Sequence, residues 1–99
     1  MSNFSKLIAF IPLLMLTVIM GVDFEHLMTS GNEYYESGNF RQAIADYEKI
    51  LAADGQSASL YYNLGCAYFS EKSYGRAILN FEKARQLAPR DPDILHNLE

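Results

Sequence analysis

Residues 60–92 read LYYNLGCAYFSEKSYGRAILNFEKARQLAPRDP. The first ten crowd aromatic side chains and a glycine around Cys66, the one cysteine of the chain. Taken alone, that cluster fits a chemical site or plain packing. The second half is more decisive. In YGRAILNFEKARQL the residues Tyr74, Ala77, Ile78, Phe81, Ala84 and Leu87 follow i, i+3, i+4, i+7 spacing. Such spacing draws one apolar stripe along a helix.

The same stripe occurs once more, 34 residues earlier, in FRQAIADYEKIL, with Phe40, Ala43, Ile44, Tyr47, Ile50 and Leu51. Sliding residues 24–57 onto 58–91 puts Gly31 on Gly65, Tyr34 on Tyr68, and Ala43-Ile44 on Ala77-Ile78. Tyr35, Phe40 and Tyr47 fall on Phe69, Tyr74 and Phe81, and Glu48-Lys49 falls on Glu82-Lys83. A repeat of this period predicts stacked supersecondary units. ESGNF at 36–40 is a polar break between two periodic runs, so each unit reads as two helices. ADGQS at 53–57 and APRDP at 88–92 separate the units. Asp91-Pro92 then offers a cap and a first-turn proline for a further helix. The expectation is all-α: repeat one over 24–57, repeat two over 58–91, and a partial third or capping helix over 92–99. Small residues at Gly31, Gly65, Ala43 and Ala77 are expected to let paired helices approach closely.

The amino terminus reads differently. Between Lys6 and Asp23 there is no charge, and Leu7 to Val22 is an apolar run interrupted only by Pro12. Sixteen helical residues span about 24 Å, against ~30 Å of bilayer hydrocarbon. That length suits the apolar region of a signal peptide or a short anchor, with Lys6 on the cytoplasmic side. Pro12 would be costly inside a soluble helix. Residues 1–22 are therefore expected to be a signal peptide or membrane anchor, and 23–99 the repeat domain. Cleaved signal and retained anchor both fit.

Composition excludes several classes. Twelve acidic residues against eight basic ones give a net charge of −4, with no basic cluster, so nucleic acid is not an expected partner. One cysteine forms no internal disulfide, and no Cys/His spacing suggests metal. His26 and His96 are isolated, and no nucleophile elbow or phosphate-binding loop occurs. Cys66 has no basic residue within a helical turn to lower its pKa. No catalytic residue, cofactor or metal is expected, and the chain is not expected to be an enzyme.

The second repeat resembles the tetratricopeptide repeat, a helix-turn-helix unit of 34 residues. Tyr61, Leu64, Gly65, Tyr68, Ala77, Phe81, Ala84 and Pro89 stand where the signature residues of that family belong. In the first repeat Leu27, Gly31, Tyr34, Ala43 and Tyr47 match. Ser30 replaces a large apolar residue, Ile50 a small one, and Gly55 the proline. The same segments also look like the repeat region of bacterial BatE-type proteins of aerotolerance operons. That likeness implies an envelope scaffold working with other Bat proteins, either anchored in the inner membrane and facing the periplasm, or periplasmic after signal cleavage.

The resemblance implies that the first helix of each unit lines a concave surface for a partner segment. Carried over, the surface comprises Glu25, Met28, Asn32, Tyr35 and Glu36, then Ser59, Tyr62, Cys66, Phe69 and Ser70, then Asp93 and His96. Helical spacing independently sets Tyr62, Cys66 and Phe69 on one stripe, away from Tyr61, Leu64, Gly65 and Tyr68. The candidate groove is Met28, Asn32, Tyr35, Tyr62, Asn63, Cys66, Phe69 and His96. Some family members clamp a partner's terminal carboxylate with asparagines and cations. Asn32 and Asn63 occupy the asparagine positions, while Met28, Asp93 and Asn97 replace the cations. Chaperone tails held by a carboxylate clamp are therefore not expected, and a protein segment with apolar or aromatic anchors is. The alternative is a self-associating or repeat-stacking module without a ligand of its own.

Overall fold

The computed structural model describes residues 21–90 together with Pro92, His96 and Asn97. The expected apolar helix within 1–22 lies almost wholly outside the described residues, as do Asp91, Asp93, Leu95 and Leu98. No helix among the described residues is long and apolar enough to cross a membrane.

Among the described residues four complete helices follow one another: α1 (Phe24–Glu36), α2 (Phe40–Ala52), α3 (Ala58–Ser70) and α4 (Tyr74–Leu87). They pack as two helix pairs, α1 on α2 and α3 on α4, with α3 also against α2 and α1. Local chemistry sets their ends. The Asp23 carboxylate accepts from the His26 amide at 3.0 Å, and the Ser57 hydroxyl accepts from the Leu60 amide at 3.1 Å. Each satisfies an amide that the first turn would leave open.

The turn inside each unit is built alike. Gly38 (φ 81°) and Lys72 (φ 64°) both occupy the left-handed region. In both, the left-handed residue and its successor return bonds to the helix. Gly38 donates to Tyr35 and Asn39 to Tyr34, at 3.0 and 2.8 Å; Lys72 donates to Phe69 and Ser73 to Tyr68, both at 2.9 Å. That closure satisfies terminal carbonyls and favours glycine at the left-handed position. The second unit places a lysine there instead.

The core lies between the pairs. Ala43, Tyr47 and Ile50 from α2 meet Leu60, Leu64 and Ala67 from α3, all buried. The glycines matter as expected. A methyl group on Gly31 would stand 2.5 Å from the Tyr47 ring, and one on Gly65 2.6 Å from the Phe81 ring. Tyr47 and Phe81 therefore each pack closely on a glycine of the preceding helix.

Two departures from the sequence expectation have clear causes. Tyr74, Ile78 and Leu87 belong to the apolar stripe of α4 yet are 51 %, 59 % and 54 % exposed. Their counterparts Phe40 and Ile44 are half-buried, and Ile44 packs on the core that the following unit completes. Among the described residues no third unit covers α4 in that way. Second, Asp46 falls outside the apolar stripe of Phe40, Ala43, Ile44, Tyr47, Ile50 and Leu51, yet it is buried. Its carboxylate accepts a hydrogen bond from the Ser30 hydroxyl at 2.5 Å. The polar Ser30, where repeat two has Leu64, is thus half of a polar pair inside the first unit.

Candidate interaction groove

The seam between α1 and α3 opens into a cleft of about 360 Å³ lined by Asn32, Tyr35, Glu36, Tyr47, Tyr62, Asn63 and Cys66. Its floor is a polar relay. The Tyr47 phenol rises from the core and donates to Asn32 Oδ1 at 2.5 Å. Asn63 Nδ2 donates to the same oxygen at 3.1 Å. One side-chain carbonyl thus serves both neighbours and ties α1 to α2 and α3 together.

Aromatic rings frame the opening. Tyr35 meets Phe40 edge-on at 5.4 Å, and Ser70 Oγ lies 3.5 Å from its hydroxyl. Tyr62 packs on Phe81 at 5.7 Å and accepts from Asn97 Nδ2 at 2.9 Å. That bond brings Asn97 against α3. Each ring thus contacts neighbours on other elements.

Protonation in the cleft runs toward neutrality. Burial pushes the Tyr47 phenol up to about 12, with smaller contributions from charge on Cys66, Tyr35, Asp46 and Glu36. It therefore stays a hydrogen-bond donor at neutral pH. Burial also pushes the Cys66 thiol up, partly opposed by a hydrogen bond with Tyr62. A nucleophilic cysteine needs the opposite shift. The aromatic run LYYNLGCAYF thus divides by face: Tyr61, Leu64 and Gly65 are buried against the helices, while Tyr62, Asn63 and Cys66 open into the cleft.

Of the eight residues assigned to the groove, the cleft gathers Asn32, Tyr35, Tyr62, Asn63 and Cys66. Met28 lies beyond it, with its sulfur 4.0 Å from Asn63 Nδ2. It lines a neighbouring, more apolar cleft of about 500 Å³ with Phe24, Glu25, Ile50, Asp54, Gly55 and Leu60. Phe69 is 59 % exposed and stands edge-on to Tyr74 at 5.3 Å, outside the cleft lining. His96 is exposed and also outside it. The sequence reading missed Tyr47, whose ring is core but whose hydroxyl reaches the cleft. Nor did it name Glu36 as a groove residue beyond the family carry-over. Among the described residues no group of His, Cys, Asp and Glu is arranged to hold a metal.

A family model of the tetratricopeptide repeat matches residues 28–92. The chain belongs to the tetratricopeptide repeat family. Tetratricopeptide domains in general serve as protein-interaction scaffolds. The chain is 32 % identical over 76 residues to the BBSome complex member BBS4 of Bos taurus, covering 77 % of this chain and 15 % of that protein. It is 33 % identical over 75 residues to the human Tetratricopeptide repeat protein 28, covering 76 % of this chain and 3 % of the relative. The human Superkiller complex protein 3 is 37 % identical over 59 residues, 60 % of this chain and 4 % of the relative. The chain spans less than a sixth of each of these relatives, so the likeness concerns the tetratricopeptide units.

Proposed function

We propose that this chain is a tetratricopeptide adaptor that holds a segment of a protein partner, with apolar or aromatic anchors, in the cleft between α1 and α3. The observation that carries the reading is the cleft itself, a concave space framed by Tyr35 and Tyr62 over a neutral polar floor. Aromatic rings fixed by their own neighbours offer contact area at little entropic cost. Asn32 Oδ1 is engaged by Tyr47 and Asn63, and no Lys or Arg lines either cleft. That chemistry disfavours a carboxylate-bearing chaperone tail. Two of the relatives are named as members of complexes, which suits a scaffold working within an assembly.

The apolar run from Leu7 to Val22 after Lys6 supports membrane association. With the BatE-type resemblance, it places the adaptor in our reading at the bacterial cell envelope, within a Bat-type complex. There it is either anchored in the inner membrane and facing the periplasm, or periplasmic after signal cleavage. Alkaline extraction of membranes distinguishes these two states.

The groove reading is tested by affinity capture with the full chain from its source, comparing Tyr62→Ala and Cys66→Phe with the unaltered protein. Tyr62→Ala removes an anchor, and Cys66→Phe fills the cleft. Both are expected to lose the same partner while far-ultraviolet circular dichroism is retained. Capture undiminished in both variants contradicts the reading.

A second reading has its own observation. Tyr74 and Ile78, one turn apart on α4, leave apolar surface exposed, and such a surface suits self-association or docking of further repeats. Light scattering of the full chain decides it: a monomer at micromolar concentration rules out obligatory self-association.

A further inference from the structure

The charges of this fold are sorted by face. Neither α1 nor α3, the helices that border the cleft, contains a lysine or arginine. The cations of the described residues are Arg41 and Lys49 on α2, Arg76, Lys83 and Arg85 on α4, and Lys72 and Arg90 in the connections. Three carboxylates of the described residues are paired with a cation, and Asp23, Glu33 and Glu48, outside both clefts, are not. Asp46, Glu71 and Glu82 each face a cation of the chain, Lys49 at 3.9 Å, Arg41 at 4.0 Å and Arg85 at 2.9 Å. Glu36 in the cleft, and Glu25 and Asp54 in the neighbouring one, form no ion pair among the described residues. The negative charge of Glu36 is felt inside the cleft, where it helps hold the Tyr47 phenol un-ionised.

The same scaffold pairs cations with tyrosine on its other face. Arg76 lies 5.8 Å over the Tyr68 ring and Lys83 lies 5.5 Å over the Tyr61 ring. In the cleft the aromatic rings and the carboxylate are supplied, and the cation is not. We infer that the partner segment carries a lysine or arginine, which sits in the cleft against the Glu36 carboxylate and the face of Tyr35. This inference rests on the groove reading above and adds the charge of the occupant. A cation near a tyrosine face and a carboxylate gains from both, while an acidic segment meets Glu36, Glu25 and Asp54 without compensation.

The test uses three blocked heptapeptides with two aromatic residues flanking a central lysine, norleucine or glutamate. Each is titrated into the full chain, with affinities read by calorimetry and the site by amide chemical shifts. The lysine peptide is expected to bind about tenfold more tightly than the norleucine peptide at low salt. The preference shrinks as ionic strength rises. Glu36→Gln cuts that ratio to threefold or less, whereas Glu33→Gln, outside the cleft, leaves it intact. Equal affinity of the lysine and norleucine peptides, or tightest binding of the glutamate peptide, overturns the inference and leaves the groove standing. If no peptide shifts Asn32, Tyr35, Asn63 or Cys66, the groove reading falls and the inference falls with it.

Discussion

Asn63 on α3 donates its side-chain amide to Asn32 Oδ1 on α1 at 3.1 Å, across the seam that opens into the cleft. The Tyr47 phenol of α2 donates to the same oxygen. These are the two asparagines that the family resemblance assigns to a carboxylate clamp, and here they bond each other. Asn32 is the hub, so its loss should be felt by both neighbours. Asn32→Ala is expected to destabilise the chain, and to do so less once Tyr47→Phe has removed the hydroxyl. A double-mutant cycle by urea denaturation should give a coupling of about 0.5 to 1.5 kcal/mol. No coupling means water replaces the asparagine without loss.

The glycines separate close packing from helix propensity. Gly75 lies in α4 with nothing within 4 Å of an added methyl, so Gly75→Ala is expected to stabilise the chain. Gly75 is the second residue of α4, so the gain should fall below the roughly 0.5 to 1 kcal/mol of a mid-helix glycine. Gly65 lies under the Phe81 ring, with two ring atoms 2.6 Å from the added carbon. Gly65→Ala gains the same propensity and loses the ring contact, with an expected net loss of about 1 to 3 kcal/mol. Opposite signs for one substitution, read by denaturation midpoints, are the outcome to look for.

Lys72 occupies the left-handed position that Gly38 fills in the first unit. A side chain there costs about 1 to 2 kcal/mol that glycine avoids. Lys72→Gly is expected to raise the denaturation midpoint, less than that full amount because glycine also loosens the unfolded chain. Gly38→Lys should lower it. Equal stability of both variants with the unaltered chain would show that the turn relaxes freely.

Tyr47 predicts a specific alkaline weakness. Its phenol is held up at about 12 in the fold, against about 10 in an unfolded chain. Folding therefore favours the protonated form. That contribution is complete below pH 10 and is lost as pH rises toward 12, amounting to about 2 to 3 kcal/mol. Denaturant midpoints measured from pH 8 to 12 should fall over this window, and less steeply in Tyr47→Phe. Burial raises Tyr68 as well, so a residual slope is expected in the variant.

The fold was legible because its signals are local and doubled. The 34-residue register, the glycine under an aromatic, and the polar breaks each occur twice, so every element was supported by its copy. The groove was legible in part. Helical spacing separated Tyr62 and Cys66 from Tyr61 and Leu64, since one helix turns two faces to two neighbours. Tyr47 escaped because a residue can be core along its ring and surface at its oxygen, and periodicity assigns a residue only one side. The Ser30–Asp46 pair was half visible. Ser30 stood out as a polar residue on a buried stripe, but its partner lies 16 residues away on another helix. Phe69 shares the stripe of Tyr62, yet its ring turns toward Tyr74, a choice made by the turn rather than by the helix.

In the proposed function a protein partner occupies the cleft between α1 and α3. Site-specific photo-crosslinking tests it most directly, with a benzophenone amino acid placed at Tyr62 in the cleft or at Ala45, exposed on α2, in the full chain within its source cells. The account predicts a discrete crosslinked partner from position 62 and none from position 45. Crosslinks from position 45 alone, or equally from both positions, contradict it.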